Sequence, residues 1–518
     1  MSRHDIAVPA ASATLPWPNR IGLALATLLL ALVAVAFLVP PLTAATHQIP
    51  LLYNEGWNAF HAARAIGDAT LYDPETPWIV LNYPPVSYYV TGLLGVLMDD
   101  QVYAGRAVAI VSLFATALFI ILIARRLSGG WLPGLLAGVV FLAVIPALFR
   151  DYVGTYDPQF FAHALMTGGL AVFVWRRNDG WQLFAATLLM VLAGLVKHIV
   201  LPIPIVVALW LLMHNRRAFL WYAVYGTAIA ALALGLIYIW WGEAFVESMQ
   251  SARQYTVTHL ITRVLHWLPR VGIILVLWLL LLVSTKRDRA SDFVHLYVIV
   301  ALAITTLLAG GIGVHYNAMF DLVIALSLAS ALIVSRMSLV PETSRAFVRG
   351  VGAAALALII ASPVFIPFVE VAFEWYAMRG GTFIEREEVA RQDIAAVEAV
   401  DGAVICENLS ICYWAGKDFI LDPYGANQFF LLGSLDEQPL FDKLASGEIR
   451  AVHLEHTSGF LFEERFPPGF KDVLERHFSE IETEGPGSLF VFAADSGDGG
   501  EDEAPDTGAE PDAAAVSG

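Results

Sequence analysis

The chain has 518 residues, of which 58% are hydrophobic and 15% charged, with a mean hydropathy of +0.65. A soluble domain carries roughly 25% charge, so the composition excludes an ordinary soluble protein and indicates a polytopic membrane protein. The net charge of −17 comes with no basic footprint for nucleic acid, and two cysteines exclude a disulfide scaffold or a thiolate metal cage.

Met1 to Asn19 is rich in Ala and Pro and reads as disordered, so residues 1–20 are expected to be a short N-terminal segment. Ile21 to Val39 is apolar and about long enough to span a bilayer. Pro40 and Pro41 leave no small-residue cleavage site, and many apolar runs follow, so this is expected to be a retained first helix. Further runs lie at 107–124, 131–148, 161–175, 181–196, 199–213, 219–241, 271–284, 293–310, 317–334 and 350–369. The hydropathy pattern therefore predicts about eleven transmembrane helices over 21–369.

Basic residues set the orientation. Arg125-Arg126, Arg176-Arg177, Arg216-Arg217, the group Lys286, Arg287 and Arg289, and the group Arg336, Arg345 and Arg349 recur at every second boundary. They share a side with Arg3 and Arg20, which the positive-inside rule places in the cytoplasm. The outer face then holds 40–106, 149–160, the Lys197 turn, 242–270, 311–316 and everything after 370. Tyr83 to Met98 is too short to span, and counting it as a span would invert the later Arg pairs. We read it as an interfacial helix entered by Pro84-Pro85 and anchored by Tyr88 and Tyr89.

The outer loop 40–106 contains the most polar stretch near the membrane, LYNEGWNAFHAARAIGDATLYDPETPWIVLNYPP, from Leu52 to Pro85. Glu55, Arg64 and Asp73 lie in it, Asp151 and Asp157 in the next outer loop, and Lys197-His198 interrupts an apolar stretch. Arg253, Tyr255, Arg263 and Arg270 lie in 242–270, and His315-Tyr316-Asn317 closes another outer turn. Charges at membrane depth are costly unless paired or functional, so carboxylates and bases on one face point to one site.

YNEGWNAFHAARAI, NYPPVSYY, AGRAVAIVSLFATALFIILIARRL, GTYDPQFFAHALM and GLVKH occur in this order. This series, over roughly residues 20–215, resembles the GT-C glycosyltransferase superfamily, which includes protein O-mannosyltransferases and lipid A aminoarabinose transferases. The resemblance implies a GT-C-like fold, a donor sugar on polyprenyl phosphate or diphosphate, and inverting transfer to a glycan, lipid or protein acceptor. The family's paired acids, usually Asp-Glu, fall on Asn54-Glu55, so the first acid is absent and Glu55 inherits the role of base. Asp157 matches the second-loop acid, and Lys197 matches the basic residue near donor phosphate.

Two departures stand out. Trp57 replaces an Arg of the aminoarabinose transferases, and Tyr83 replaces the Lys before the loop proline. Phosphate contacts are then expected from Arg64, Lys197, His198 or the arginines of 253–270. Asn82 stands where those relatives have a Glu, so no metal site and no cofactor are predicted. Catalysis is assigned to Glu55 and Asp157, and substrate binding to Asn54, Arg64, Tyr83, Lys197, His198, His315 and Tyr316.

The chemistry asks for these residue types. A carboxylate takes the proton of an acceptor hydroxyl, and Lys and Arg stabilise the departing phosphate. Structural alternatives exist for each. Glu55 could cap a helix over 57–66, Asp157 before Pro158 is a good helix start, and Lys197 could snorkel. Arg64 could pair with Asp68, and Tyr83 could be an interfacial belt residue.

From about 370 the pattern turns soluble. A helix over Ile384 to Val400, strands in GAVICEN, AVHLEHT and SLFVFAAD, and a helix over Phe441 to Ser446 predict a small extracytoplasmic α/β domain over 370–494. Cys406 and Cys412 could pair in an oxidising compartment, although a strand and a nearby turn need not bring them within bonding distance. Residues 495–518 read as a disordered acidic tail. The expected protein is a multi-pass plasma-membrane glycosyltransferase with a cytoplasmic N-terminus, a polyprenyl-linked donor and the bilayer as its partners. The competing reading is a non-enzymatic transporter or flippase, which internal repeats would favour; no repeat of the first half is visible in the second.

Overall fold

The computed structural model describes residues 15–175, 180–250, 255–284, 287–311, 313–482 and 487–493. Arg3, Arg176, Arg177, Arg253, Lys286 and the tail 495–518 lie outside the described residues. The first helix, α1 (Trp17–Ala44), runs through Pro40 and Pro41 instead of ending at them. Pro40 has no N–H to offer the Ala36 carbonyl, and the Trp375 indole N–H fills that role at 2.7 Å. The Thr43 hydroxyl donates to Val39 O at 2.9 Å in the same turn.

The connection from α1 to α4, expected as the first outer loop, carries two short helices, α2 (Asn54–Ile66) and α3 (Val86–Met98). The α3 helix starts directly after Pro84-Pro85, and Leu93, Val96 and Leu97 along it are exposed apolar side chains. The membrane region continues with α4 (Gln101–Ser128), α5 (Trp131–Leu148), α6 (Gln159–Trp175), α7 (Trp181–Val196), α8 (Pro202–His214) and α9 (Arg216–Trp241). After α10 (Glu243–Met249) come α11 (Val257–Ser284), α12 (Arg289–Leu308), α13 (Phe320–Arg336) and α14 (Ala346–Ile360).

Among the described residues, seven helices are long and apolar enough to cross a membrane, with α3, α6, α7, α8 and α14 as shorter apolar helices. All eleven expected runs fall in helices, with two corrections. The run 271–284 is the second half of α11, so most of the segment 242–270 is helix and not loop. The run 350–369 breaks after Ile360 because Pro363 and Pro367 interrupt the ladder, and α15 (Phe368–Arg379) begins beyond them. Every side chain from Phe320 to Val334 is buried, which makes α13 the central helix of the bundle. By contrast α9 buries only Ala218 and Ile237 and turns the rest of its apolar surface outward.

After α16 (Thr382–Glu398) the chain forms a small α/β unit. It contains β1 (Ala403–Cys406), α17 (Leu409–Trp414), α18 (Pro423–Leu431), α19 (Gln438–Ala445), β2 (Ile449–Leu454), α20 (Phe460–Arg465), α21 (Phe470–His477), β3 (Phe478–Glu482) and β4 (Ser488–Phe492). The sheet order is β1-β2-β4-β3, with β1 parallel to β2 and the other pairs antiparallel. Cys406 at the end of β1 and Cys412 in α17 form a disulfide, because the chain folds back at once from strand to helix and leaves their Cα atoms 5.7 Å apart.

This unit shares a core with the first outer loop. Trp57, Phe60 and Tyr88 of the loop pack in one apolar cluster with Val404, Leu409, Ile411 and Cys412. The backbones approach so closely that a Cβ on Gly56 would lie 2.1 Å from Ser410 N, so only glycine fits at this crossing of α2 and α17. Gln101 N donates to the Tyr413 hydroxyl at 2.9 Å, and the Trp414 indole N–H donates to Asp100 Oδ2 at 3.0 Å.

Candidate active site

The first turn of α2 is where the loop, the bundle and the α/β unit meet. Glu55 in this turn is fully buried and receives four hydrogen bonds. Arg106 of α4 grips it with two, Nε to Oε1 at 2.8 Å and Nη2 to Oε2 at 2.8 Å. Backbone N–H groups of Leu51 and Tyr156 add one each at 2.9 Å. Arg106 in turn donates to the carbonyls of His47 at 2.8 Å and Ile49 at 2.6 Å. It also donates to Ala45 O at 3.3 Å.

Glu55, which the resemblance makes the base, is thus held in a buried ion pair with Arg106. Both oxygens accept two hydrogen bonds each, and the carboxylate is buried. The pair ties the loop after α1 to α2 and α4. Sequence reasoning missed Arg106, although an arginine inside an apolar run is costly without a partner and is therefore itself a signal.

Its neighbour Asn54 belongs to a different cluster. The Asn54 amide Nδ2 donates to Asp157 Oδ2 at 3.0 Å. Asp157 Oδ1 accepts from Lys197 Nζ at 2.9 Å and from the backbone N–H of Gln159 at 2.7 Å, where it also caps the start of α6. Asp157 and Lys197 are both nearly fully buried. Burial opposes the Lys197 ammonium, but the Asp157 carboxylate outweighs it and raises the lysine pKa, so the cation persists. The Lys197 ammonium lies 4.7 Å from the centre of the Tyr83 ring, with the exposed His198 ring 6.4 Å from Tyr83 on the same edge. Asn54, Tyr83, Asp157, Lys197 and His198, all singled out from the sequence, therefore come together.

Arg64 does not join them. It pairs with Asp73 at 3.2 Å, not with Asp68. His61 is buried between Trp57, Tyr88 and Phe419, and burial together with nearby Arg64 lowers its pKa to about 3, which keeps it neutral.

Tyr316 forms a second group with α11. Arg263 and Arg270 each lie 5.3 Å from the Tyr316 ring centre, and His266 stacks on it at 5.7 Å. His259, Arg263, His266 and Arg270 recur at helical spacing, so they line one face of α11. His315 itself is exposed.

The α/β unit holds the start of α2 through Tyr53. The Arg465 guanidinium sits 4.3 Å over the Tyr53 ring, and the Tyr53 hydroxyl accepts from Tyr424 N at 2.9 Å. Arg465 is anchored by the buried Glu407, which also accepts from the backbone N–H groups of Glu455 and His456. None of these long-range partners has a local sequence signature. Among the described residues, no group of three His, Cys, Asp or Glu is arranged to hold a metal ion.

No family model and no curated protein matches this sequence. Solved structures do. The chain is similar to ArnT from Cupriavidus metallidurans, solved bound to undecaprenyl phosphate, at 13% identity and a TM-score of 0.58 over 90% of this chain and 98% of that one. It is also similar to the Archaeoglobus fulgidus oligosaccharyltransferase tethered to an acceptor peptide, at 11% identity and a TM-score of 0.54 over 91% of this chain and 74% of that one. Each likeness covers about nine-tenths of the chain, and the chain shares the fold of these two proteins, as the GT-C resemblance implies.

Proposed function

We propose that the chain is a membrane glycosyltransferase. It moves a sugar from a polyprenyl phosphate or diphosphate carrier to a hydroxyl of a glycan, lipid or protein, at the outer face of the plasma membrane. The observation that carries this reading is the buried Asn54–Asp157–Lys197 cluster at the rim of the bundle, on the side where the α/β unit packs. The bound undecaprenyl phosphate of ArnT and the acceptor peptide of the oligosaccharyltransferase support a polyprenyl-linked donor and a separate acceptor.

In this reading Asp157, not Glu55, is the base. Its Oδ2 has one donor, the Asn54 amide, and keeps acceptor capacity for an incoming hydroxyl. The acceptor oxygen attacks the anomeric carbon and its proton passes to Asp157. The bond from that carbon to the phosphate oxygen breaks, and its electron pair leaves with the phosphate. With a single carboxylate on the acceptor side, the displacement inverts the anomeric centre. Lys197 is held by Asp157, and Arg263 and Arg270 flank Tyr316, so these three cations are the candidates for the charge that develops on phosphate. The α/β unit, braced on α2, frames the acceptor side.

One experiment tests activity and orientation together. Right-side-out vesicles carrying the protein and a polyprenyl-linked sugar pool should glycosylate a membrane-impermeant acceptor added outside. Transfer only in inverted vesicles would overturn the orientation, and no transfer in either would overturn the enzyme assignment.

A further inference from the structure

Asn54 occupies the place where the resemblance leads one to expect a second acid. Asp157 Oδ2 can only accept a hydrogen bond, so the Asn54 amide nitrogen must face it and the amide oxygen must point elsewhere. That oxygen, Oδ1, is buried and makes no hydrogen bond. A buried acceptor without a donor is disfavoured until a donor fills it. The unpartnered oxygen sits on the same amide that touches Asp157. A substrate group lying against Asp157 is therefore within reach of it.

We propose that Asn54 is a specificity-determining residue that acts as the permanently neutral half of a carboxylate–amide pair. Its N–H locks Asp157 Oδ2, and its Oδ1 receives a hydroxyl proton donor of the substrate. The proposal rests on the transferase reading with Asp157 as base. A carboxylic acid here could mimic the amide only while protonated, because two ionised carboxylates at 3.0 Å repel. The asparagine gives the same hydrogen-bond pattern at every pH. It presents to the substrate an acceptor that suits a neutral hydroxyl and carries no charge to attract a cation.

The surrounding charges fix the sign of the effect. Lys197 and the Gln159 N–H face the other oxygen of Asp157. Glu55, next to Asn54 in sequence, is neutralised by Arg106. Tyr83 lies beside Lys197, His163 packs on α6 near Asp157 and Lys197, and Tyr88 and Tyr152 complete the charged and titratable neighbours. Among the described residues Lys197 is thus the one cation paired with Asp157, and it cannot neutralise two carboxylates.

The test compares Asn54→Asp, Asn54→Leu and Asp157→Asn with the unmodified protein in nanodiscs. The probe is the polyprenyl lipid pool extracted from a strain lacking the protein, supplied with the membrane-impermeant hydroxyl acceptor that receives the sugar, and the readout is acceptor-dependent release of free polyprenyl phosphate or diphosphate across pH 5 to 9. Asn54→Asp, which brings back the expected acid, should slow release roughly 100-fold at the alkaline end. It should regain rate relative to the unmodified protein as the pH falls and the pair takes up one shared proton. Asn54→Leu, with similar volume and neither group, should lose rate by the same factor at every pH. Asn54→Asp at full or higher rate at alkaline pH, a loss that acid does not relieve, or an unimpaired Asn54→Leu would each overturn the proposal. An Asp157→Asn variant at full rate would instead overturn the base assignment on which it rests.

Discussion

Asp157→Asn is expected to lower sugar transfer by roughly 10³-fold, the scale of losing a positioned general base. The same change should destabilise the protein, for a separable reason. It leaves the Lys197 ammonium buried without its counter-charge, at a cost of roughly 3–5 kcal/mol for breaking a buried pair. Adding Lys197→Met removes the stranded cation, so the double variant should recover most of the lost thermal stability and none of the activity. Melting temperature and polyprenyl phosphate release on the same samples measure both. A double variant that recovers activity along with stability would assign Asp157 a structural role only.

The second large effect is expected at Arg106. Arg106→Met strands Glu55, which no solvent reaches, and removes the donors to the Ala45, His47 and Ile49 carbonyls. A stability loss of roughly 3–5 kcal/mol should follow, with residual activity in proportion to the folded fraction. Glu55→Gln is expected to behave in the same way, since it leaves Arg106 buried and half-paired. Combining Glu55→Gln with Arg106→Met should cost less than the sum of the two, because neither charge is then left alone. Thermal unfolding of the three variants decides the matter. A Glu55→Gln protein as stable as the parent but unable to transfer sugar would return the base role to Glu55.

The contrast between Glu55 and Asp157 marks what the sequence could and could not reveal. Apolar runs are a local signal, and the expected runs coincide with helices except where prolines break 350–369, while the segment after Pro84-Pro85 is the short helix α3. The gathering of Asn54, Tyr83, Asp157, Lys197 and His198 was also legible, because the motifs that carry them occur in the family's order. The state of each carboxylate was not. Glu55 and Asp157 look alike in a sequence, and what separates them is a guanidinium 51 positions away against an ammonium 40 positions away, with a different count of backbone donors. In the α/β unit the strands β1, β2 and β4 and helices α16 and α19 were readable from pattern. The short helices α17, α18, α20 and α21 were not, since six to nine residues give periodicity little to work with, and the eight-residue α19 was read only in part, as Phe441 to Ser446. Gly56 carried no local clue either, because its need for glycine comes from α17, more than 350 residues later.

The α/β unit is better understood as part of the site than as an appended module. It shares an apolar core with the loop, grips Tyr53 through Arg465 and Tyr424, and sets α17 against Gly56. Burial pushes the Asp422 carboxyl in this interface up to about 7, although Gly425 N–H donates to it at 3.0 Å. All of these contacts converge on the turn that presents Asn54 to Asp157.

The transferase account is tested most directly by the lipid-linked sugars of a strain lacking this protein. One polyprenyl-phosphate-linked or diphosphate-linked sugar should accumulate, and a plasmid copy should clear it while an Asp157→Asn copy should not. An unchanged lipid-linked pool, or full clearance by the Asp157→Asn copy, would contradict the account.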